Sequence, residues 1–354
     1  LSGEKQKFTL EDVHQTYKKK DAWWTVLLVD PVAARLILPT ANHTNITPNQ
    51  LSIFSFIIGM TAAYCFYLGD YTALIIGALL YHLSFIIDCM DGKIARLKGT
   101  GSTFGMLLDI SLDHIRVVIC GAALIYSQFR MTEEIAYLYL GFVFLFAYGT
   151  RHINALQLYK LRREMRGKIR KARRKLKKTA RYAGIVIEPP SQETKREEGD
   201  DDHSNDEGEE ESLDGTKKQA QPVAKAPVKD AEDPLGKKKV DLQQEFKSKF
   251  STYMKLREFF LNRRIRMHLF SGIEFQMFIF VLAPILGLVK ESIFFGAILL
   301  LAFEGTILYK IWLSTKDFER EFNRIKKATE TIEATLSEEE KEAMVTGAPS
   351  SVAK

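Results

Sequence analysis

Residues 88–113 read DCMDGKIARLKGTGSTFGMLLDISLD, and four aspartates in this stretch, Asp88, Asp91, Asp109 and Asp113, stand between two long apolar runs. The first two are three residues apart and the last two are four apart, so on a helix each pair shares one face. Upstream, residues 51–68 (LSIFSFIIGMTAAYCFYL) carry no charge. With the turn before them they reach the roughly 20 residues that a spanning helix needs. Residues 71–87 (YTALIIGALLYHLSFII) run directly into Asp88, and residues 104–127 carry Asp109 and Asp113 in their first turns. An ionised side chain at membrane depth is costly unless it faces a cavity, a partner or an ion. The stretch therefore sets the fold class, an all-helical integral membrane protein, and marks where function is to be sought.

Working outward, apolar runs at 135–158, 269–289 and 292–313 raise the expectation to six spans, with Arg151, His152, Glu274, Glu304 and Lys310 as the charged or titratable residues inside them. Thr47-Pro48 reads as a helix start and Gly69-Asp70 as a tight connection. Residues 1–40 read as a cytoplasmic or interfacial amphipathic region. Thr9 and Asp12 mark a helix start, and Lys18, Lys19 and Lys20 precede Trp23 and Trp24, a pairing suited to the headgroup zone. Pro31 opens a second short helix that Pro39 is expected to end. Residues 1–20 are too polar for a secretory signal. The remaining divisions are 41–160 with spans one to four, 161–266 as a cytoplasmic segment, 267–314 with spans five and six, and 315–354 as a cytoplasmic helix and tail.

The 50 Lys and Arg against 44 Asp and Glu give a net charge of +6, unevenly spread. Lys93, Arg96 and Lys98, expected in the loop after the second span, the 160–266 segment and both ends fall on one side of the spans, so that side is cytoplasmic and the aspartates lie at it. Residues 160–181 hold one acid, Glu164, among many Lys and Arg, and are expected to continue the fourth span as a basic helix attracted to anionic headgroups. They lack aromatic interleaving and any nucleic-acid fold signature, so no nucleic-acid partner is expected. Residues 188–236 read as a disordered linker with an acidic centre at 197–214. Residues 240–266 and 315–345 regain apolar periodicity, and 346–354 read as frayed. Cys65, Cys89 and Cys120 all sit in apolar stretches and read as packing residues.

Four clustered carboxylates suit hard divalent cations, Mg²⁺ or Mn²⁺, which take oxygen ligands from one or two carboxylates each plus substrate phosphates. Two such ions can hold both sides of a displacement at phosphorus, and a remaining carboxylate can take a proton from an attacking hydroxyl. Gly92, Ala95 and Gly105 leave room for a flat ligand near backbone, and Arg96 offers a planar donor. A cation transporter would string acids along a path through the bilayer, whereas here they cluster at one side. An interaction scaffold built on the charged linker is a third reading.

The pattern Asp88-x2-Asp91-Gly92-x2-Ala95-Arg96-x8-Gly105-x3-Asp109-x3-Asp113 resembles the signature of the CDP-alcohol phosphotransferase (CDP-alcohol phosphatidyltransferase) family, with every fixed position filled. The resemblance covers about residues 45–160 and 268–313. It implies that Asp88, Asp91 and Asp109, with Asp113 beside them, hold two Mg²⁺ or Mn²⁺ ions and the diphosphate of a CDP-linked donor. It implies that Asp113 is the general base, and that Asp91, Gly92, Ala95, Arg96 and Gly105 shape the CDP site. It further implies transfer from a CDP-alcohol, foremost CDP-diacylglycerol, to inositol, inositol phosphate, glycerol phosphate or serine, releasing CMP in phospholipid synthesis. Some members of the family instead use a CDP-aminoalcohol and a lipid acceptor. A homodimer is a further implication. Arg151, His152 and Glu304 are candidates for the acceptor pocket; the alternative for Arg151 is an ion pair with Glu274 or Glu304. Asn49 reaches the nucleotide or serves only as a cap, His82 reads as a packing residue, and His114 has no assigned role.

Overall fold

The structure, a computed structural model, describes residues 7–183, 251–266, 270 and 272–338. The linker 188–236, the beginning of the 240–266 periodicity and the tail 346–354 lie outside the described residues. The described chain is helical, its one β contact being an isolated bridge between Asp21 and Ile265. The helices are α1 Leu10–Gln15, α2 Asp30–His43 after a π-helical turn Thr25–Val29, α3 Pro48–Leu68, α4 Tyr71–Lys98, α5 Thr103–Thr132 and α6 Ala136–Tyr182, followed by α7 Ser251–Leu261, α8 Gly272–Leu286 with an internal π turn, and α9 Val289–Thr335. The chain divides into two compact units, one of Leu1–Ile153 with Thr252–Thr306 and one of Asn154–Ser251 with Ile307–Lys354.

Local signals set the helix ends. Thr47 and Gln50 form a reciprocal capping box with Pro48 in the first turn, and Thr9 with Asp12 does the same for α1. Gly69 adopts φ 86° and hands over to Asp70, whose carboxylate caps α4. Pro39 does not end its helix, because α2 runs on to His43. A proline inside a helix removes one backbone donor, and here the next residue adds a bond, the Thr40 hydroxyl donating to the Leu36 carbonyl at 2.7 Å.

In the first unit α3, α4 and α5 pack side by side around Phe66, Tyr81, Leu124 and Cys120, and Phe144, Phe275 and Phe280 close the core with ring contacts of 4.6 to 6.1 Å. The outer faces remain apolar: Ile57, Phe142 and Phe146 are more than half exposed. Such a surface is what lipid tails cover. Among the described residues four helices are long and apolar enough to cross a membrane: Thr25–His43, α3, α4 and α9. Of the expected spans, the third lies in α5, the fourth in α6 and the fifth in the shorter apolar α8.

In the second unit the basic part of α6 does continue the helix that holds the fourth apolar run. Its apolar seam is covered by the end of α9: Ile169, Leu176 and Ala180 pack with Ile325 and Ile332. Lys175 pairs with Glu333 at 2.9 Å beside that seam.

Candidate active site

The two halves of the aspartate motif sit on an antiparallel helix pair. Gly99, at φ 63°, ends α4 by donating its N–H to the Ala95 carbonyl, and Ser102 opens α5 by accepting the Gly105 N–H at 3.0 Å. The turn between them is short because Lys93, Arg96 and Lys98 are not in a loop, as the sequence suggested; α4 holds all three. Helical spacing then turns Asp88 and Asp91 toward Asp109. Each of these three offers a carboxylate oxygen, all within 4.8 Å of one another.

Serines on α3 hold the α4 carboxylates. The Ser52 hydroxyl donates to Asp91, and Ser55 donates to Asp88 at 3.2 Å. Asp91 is almost fully buried. Asp109 Oδ1 is buried and has no hydrogen-bonding partner among the described residues. Three converging carboxylates with an unused buried oxygen fit a hard divalent cation, which would supply the missing positive charge.

Asp113 stands outside this group. Its side chain, 37% exposed, is gripped by the Arg116 guanidinium, three residues along the same helix. Arg116 is itself buried and also donates to Ser55, Ser84 and Asp88, at 2.8, 3.1 and 3.3 Å. Neither Arg116 nor the serines figure among the site residues read from the sequence. The available signals were the three-residue offset of Arg116 from Asp113 and the same offset between Ser52 and Ser55.

The other motif positions surround the carboxylates. A Cβ on Gly105 would lie 2.5 Å from Asn49 Oδ1, so the glycine permits α3 and α5 to meet. Asn49, with Asn45, Thr47, Lys98, Thr100 and Ser102, lines a cavity of about 410 Å³ at this end of the helices. The Arg96 guanidinium lies over Gly92, within 3.6 Å of where a Cβ would stand, and its Nε donates to the Thr16 carbonyl at 2.8 Å, tying the motif to α1. Lys93 is buried against Asp30 of α2 at 2.7 Å, and Arg264 meets the same aspartate at 3.1 Å.

Of the acceptor-pocket candidates, Arg151 and Glu304 are buried together as an ion pair at 3.1 Å, while Glu274 faces Arg266 at 3.9 Å. His152 Nδ1 lies 2.7 Å from His114 Nε2, and His114 Nδ1 lies 2.6 Å from the Ile110 carbonyl. A carbonyl only accepts, so His114 carries its proton on Nδ1 and, when neutral, accepts from His152. His114 directly follows Asp113 in α5, and no local sequence signal announced its pairing with His152.

This arrangement defines a class: helix-borne carboxylates able to hold divalent cations, beside a separate carboxylate paired with an arginine. The family model of the CDP-alcohol phosphatidyltransferases matches residues 45–187 of this chain. Among named relatives, the archaetidylinositol phosphate synthase of Pyrococcus horikoshii is 39% identical over 76 residues, which is 22% of this chain and 39% of that protein. The phosphatidylinositol phosphate synthase of Corynebacterium glutamicum is 36% identical over 89 residues, 25% of this chain and 37% of that protein. A bifunctional IPC transferase and DIPP synthase of Aquifex aeolicus is 36% identical over 67 residues, 19% of this chain and 15% of that protein. The matched stretches thus span well under half the length of each of these relatives.

Proposed function

We propose that the chain is an integral membrane enzyme that transfers a phosphatidyl-type group from a CDP-alcohol, foremost CDP-diacylglycerol, to a hydroxyl of inositol phosphate, releasing CMP in phospholipid synthesis. The observation that carries this reading is the convergence of Asp88, Asp91 and Asp109 beside Asp113 inside the matched domain. The acceptor is chosen from the names of the relatives, which include an archaetidylinositol phosphate synthase and a phosphatidylinositol phosphate synthase.

Asp88, Asp91 and Asp109 would hold Mg²⁺ or Mn²⁺, with Asp113 at the edge of that site. When bound, the ions supply compact positive charge to the diphosphate and to the leaving phosphate. Asp113, outside the triad, accepts the proton of the acceptor hydroxyl. The freed oxygen forms a bond to the phosphorus nearer the lipid, the bond from that phosphorus to the bridging oxygen breaks, and CMP leaves with the electron pair. Gly92, Ala95, Arg96 and Gly105 shape the nucleotide side, and Asn49 and the cavity it lines extend it. Arg151, His152 and Glu304 form the acceptor side, His152 reaching it through His114. Catalysis of this kind rests on positioning and fixed charge.

The six-span arrangement, with the site and both termini facing the cytoplasm, follows from the same reading. The Asp30–Lys93 pair supports an N-terminal region lying at the cytoplasmic end of α4, since a buried pair at the motif itself suits a helix seated in the interface. The basic residues of 160–181 that face away from the α9 seam are the ones that would meet anionic headgroups. A homodimer is proposed on the family resemblance alone.

The test is CMP release by purified protein with Mg²⁺ or Mn²⁺, across CDP-diacylglycerol, CDP-choline and CDP-ethanolamine donors, each with polar and lipid acceptors. Release that requires a divalent ion, CDP-diacylglycerol and inositol phosphate is expected. Release only with a CDP-aminoalcohol and a lipid acceptor would reverse the donor and acceptor assignment, and no release with any pair would end the enzymatic reading.

A further inference from the structure

We propose that Arg116 is a positioning residue that sets the base and the metal site in register and supplies the site's resident positive charge. The proposal rests on the reading of Asp113 as base and of Asp88 as a metal ligand. Arg116 is the cation that touches both: Nη2 grips Asp113, and Nη1 donates to Asp88 at 3.3 Å. An arginine fork has fixed geometry, so binding two carboxylates with its two ends holds them at a set separation. Four aspartates and this guanidinium leave three formal negative charges in the cluster. Asp91 and Asp109 are the two that Arg116 does not bind.

The fork is itself held. Ser55 and Ser84, both fully buried, accept from Nη1 at 2.8 and 3.1 Å, and the Ser84 hydroxyl donates to the Ser55 carbonyl at 2.7 Å. The aliphatic stem of Arg116 runs against Gly59, where a Cβ would lie 2.5 Å from Cδ. Tyr81 lies beside the guanidinium, its ring centroid 5.9 Å away. A cation anchored from below by α3 and α4 and reaching up to both halves of the motif is built to orient carboxylates before any substrate arrives. Preorganisation of this kind acts on the chemical step rather than on donor affinity.

Arg116→Met and Arg116→Lys, compared with wild type and Asp113→Asn, test this. For Arg116→Met the expected result is a fall in kcat of about 100-fold with donor KM within about threefold, and for Arg116→Lys recovery of about a tenth of wild-type kcat. A second readout needs no turnover. The metal-free Arg116→Met protein should melt earlier than wild type, and Mg²⁺ should raise its melting temperature by more than it raises that of wild type, because the ion then replaces the lost charge. Unchanged kcat, a KM effect alone, or an equal Mg²⁺ response would overturn the proposal. Should Arg116→Met fail to fold, Ser84→Ala removes one anchor and keeps the charge. Its kcat should fall about threefold at constant KM, and wild-type kcat there would also overturn the proposal. Wild type that releases no CMP would sink the functional reading; active wild type with equally active Arg116 variants would sink this inference alone.

Discussion

Gly59→Ala is a one-methyl perturbation whose effect can be worked from distances. The added Cβ would lie 2.5 Å from Arg116 Cδ, 2.9 Å from Cγ and 3.2 Å from Ser84 Oγ. Carbon atoms in contact sit about 3.5–4.0 Å apart, so the arginine stem must retreat by roughly 1 Å. Those atoms are mid-chain, with the guanidinium pinned beyond them, and cannot simply swing aside. The bond to Asp88, already 3.3 Å, is the first to pass beyond hydrogen-bonding range. Overpacking of a core costs about 1–3 kcal/mol and a hydrogen bond to a charged group is worth about 1.5–3 kcal/mol, so a loss of roughly 2.5–6 kcal/mol is expected. Thermal unfolding in detergent, followed by tryptophan fluorescence, measures it. Gly149→Ala serves as control, since nothing lies within 4 Å of its Cβ. That change should be neutral or stabilising by up to about 1 kcal/mol, the helix propensity gained over glycine. Equal melting temperatures for the two variants would refute the packing argument.

Other expectations follow from the site and its surroundings. Asp113→Asn should lower turnover by about 10²–10⁴-fold while CDP-donor binding, measured by calorimetry, persists; full activity would remove Asp113 as base. Asp30→Asn, which leaves the buried Lys93 without its carboxylate, should cost about 3–5 kcal/mol, whereas Lys93→Met should cost less because Arg264 still meets Asp30. Denaturation of the two variants giving the opposite order would contradict this account. The backbone and side-chain hydrogen bonds from Thr9 hold the Asp12 carboxyl below its usual value of 3.8. A depressed carboxyl contributes stability above its unfolded pKa and loses it as pH falls through the lower folded value, so the α1 capping box should open only below about pH 4. An amide shift of Thr9 that titrates well above that would argue against the capping bond.

What the sequence made legible was local. Thr47-Pro48, Gly69-Asp70 and the uncharged run 51–68 set α3 and the entry to α4, because caps and apolar length act within a few residues. The aspartate spacing likewise foretold a shared face for each pair. Pairings between distant segments were less legible. Phe318, Ile325 and Ile332 recur every seven residues, as do Ile169 and Leu176, yet nothing local says that one seam covers the other. Arg151 had two acids in reach by sequence, and the fold sets it 3.1 Å from Glu304. Arg116 serves several partners at once, a property of three helices together and of no single one.

The short turn between Gly99 and Ser102 bears on the order of assembly. Asp88 through Arg116 occupies a single α4–α5 hairpin, whose ends meet at little cost in chain entropy. With α3 just before it, every carboxylate, both anchoring serines and the guanidinium are encoded within residues 55–116. The centre is therefore a product of nearby contacts, the fast kind to form. The helices encoded beyond residue 250 contribute none of the four carboxylates and neither anchoring serine.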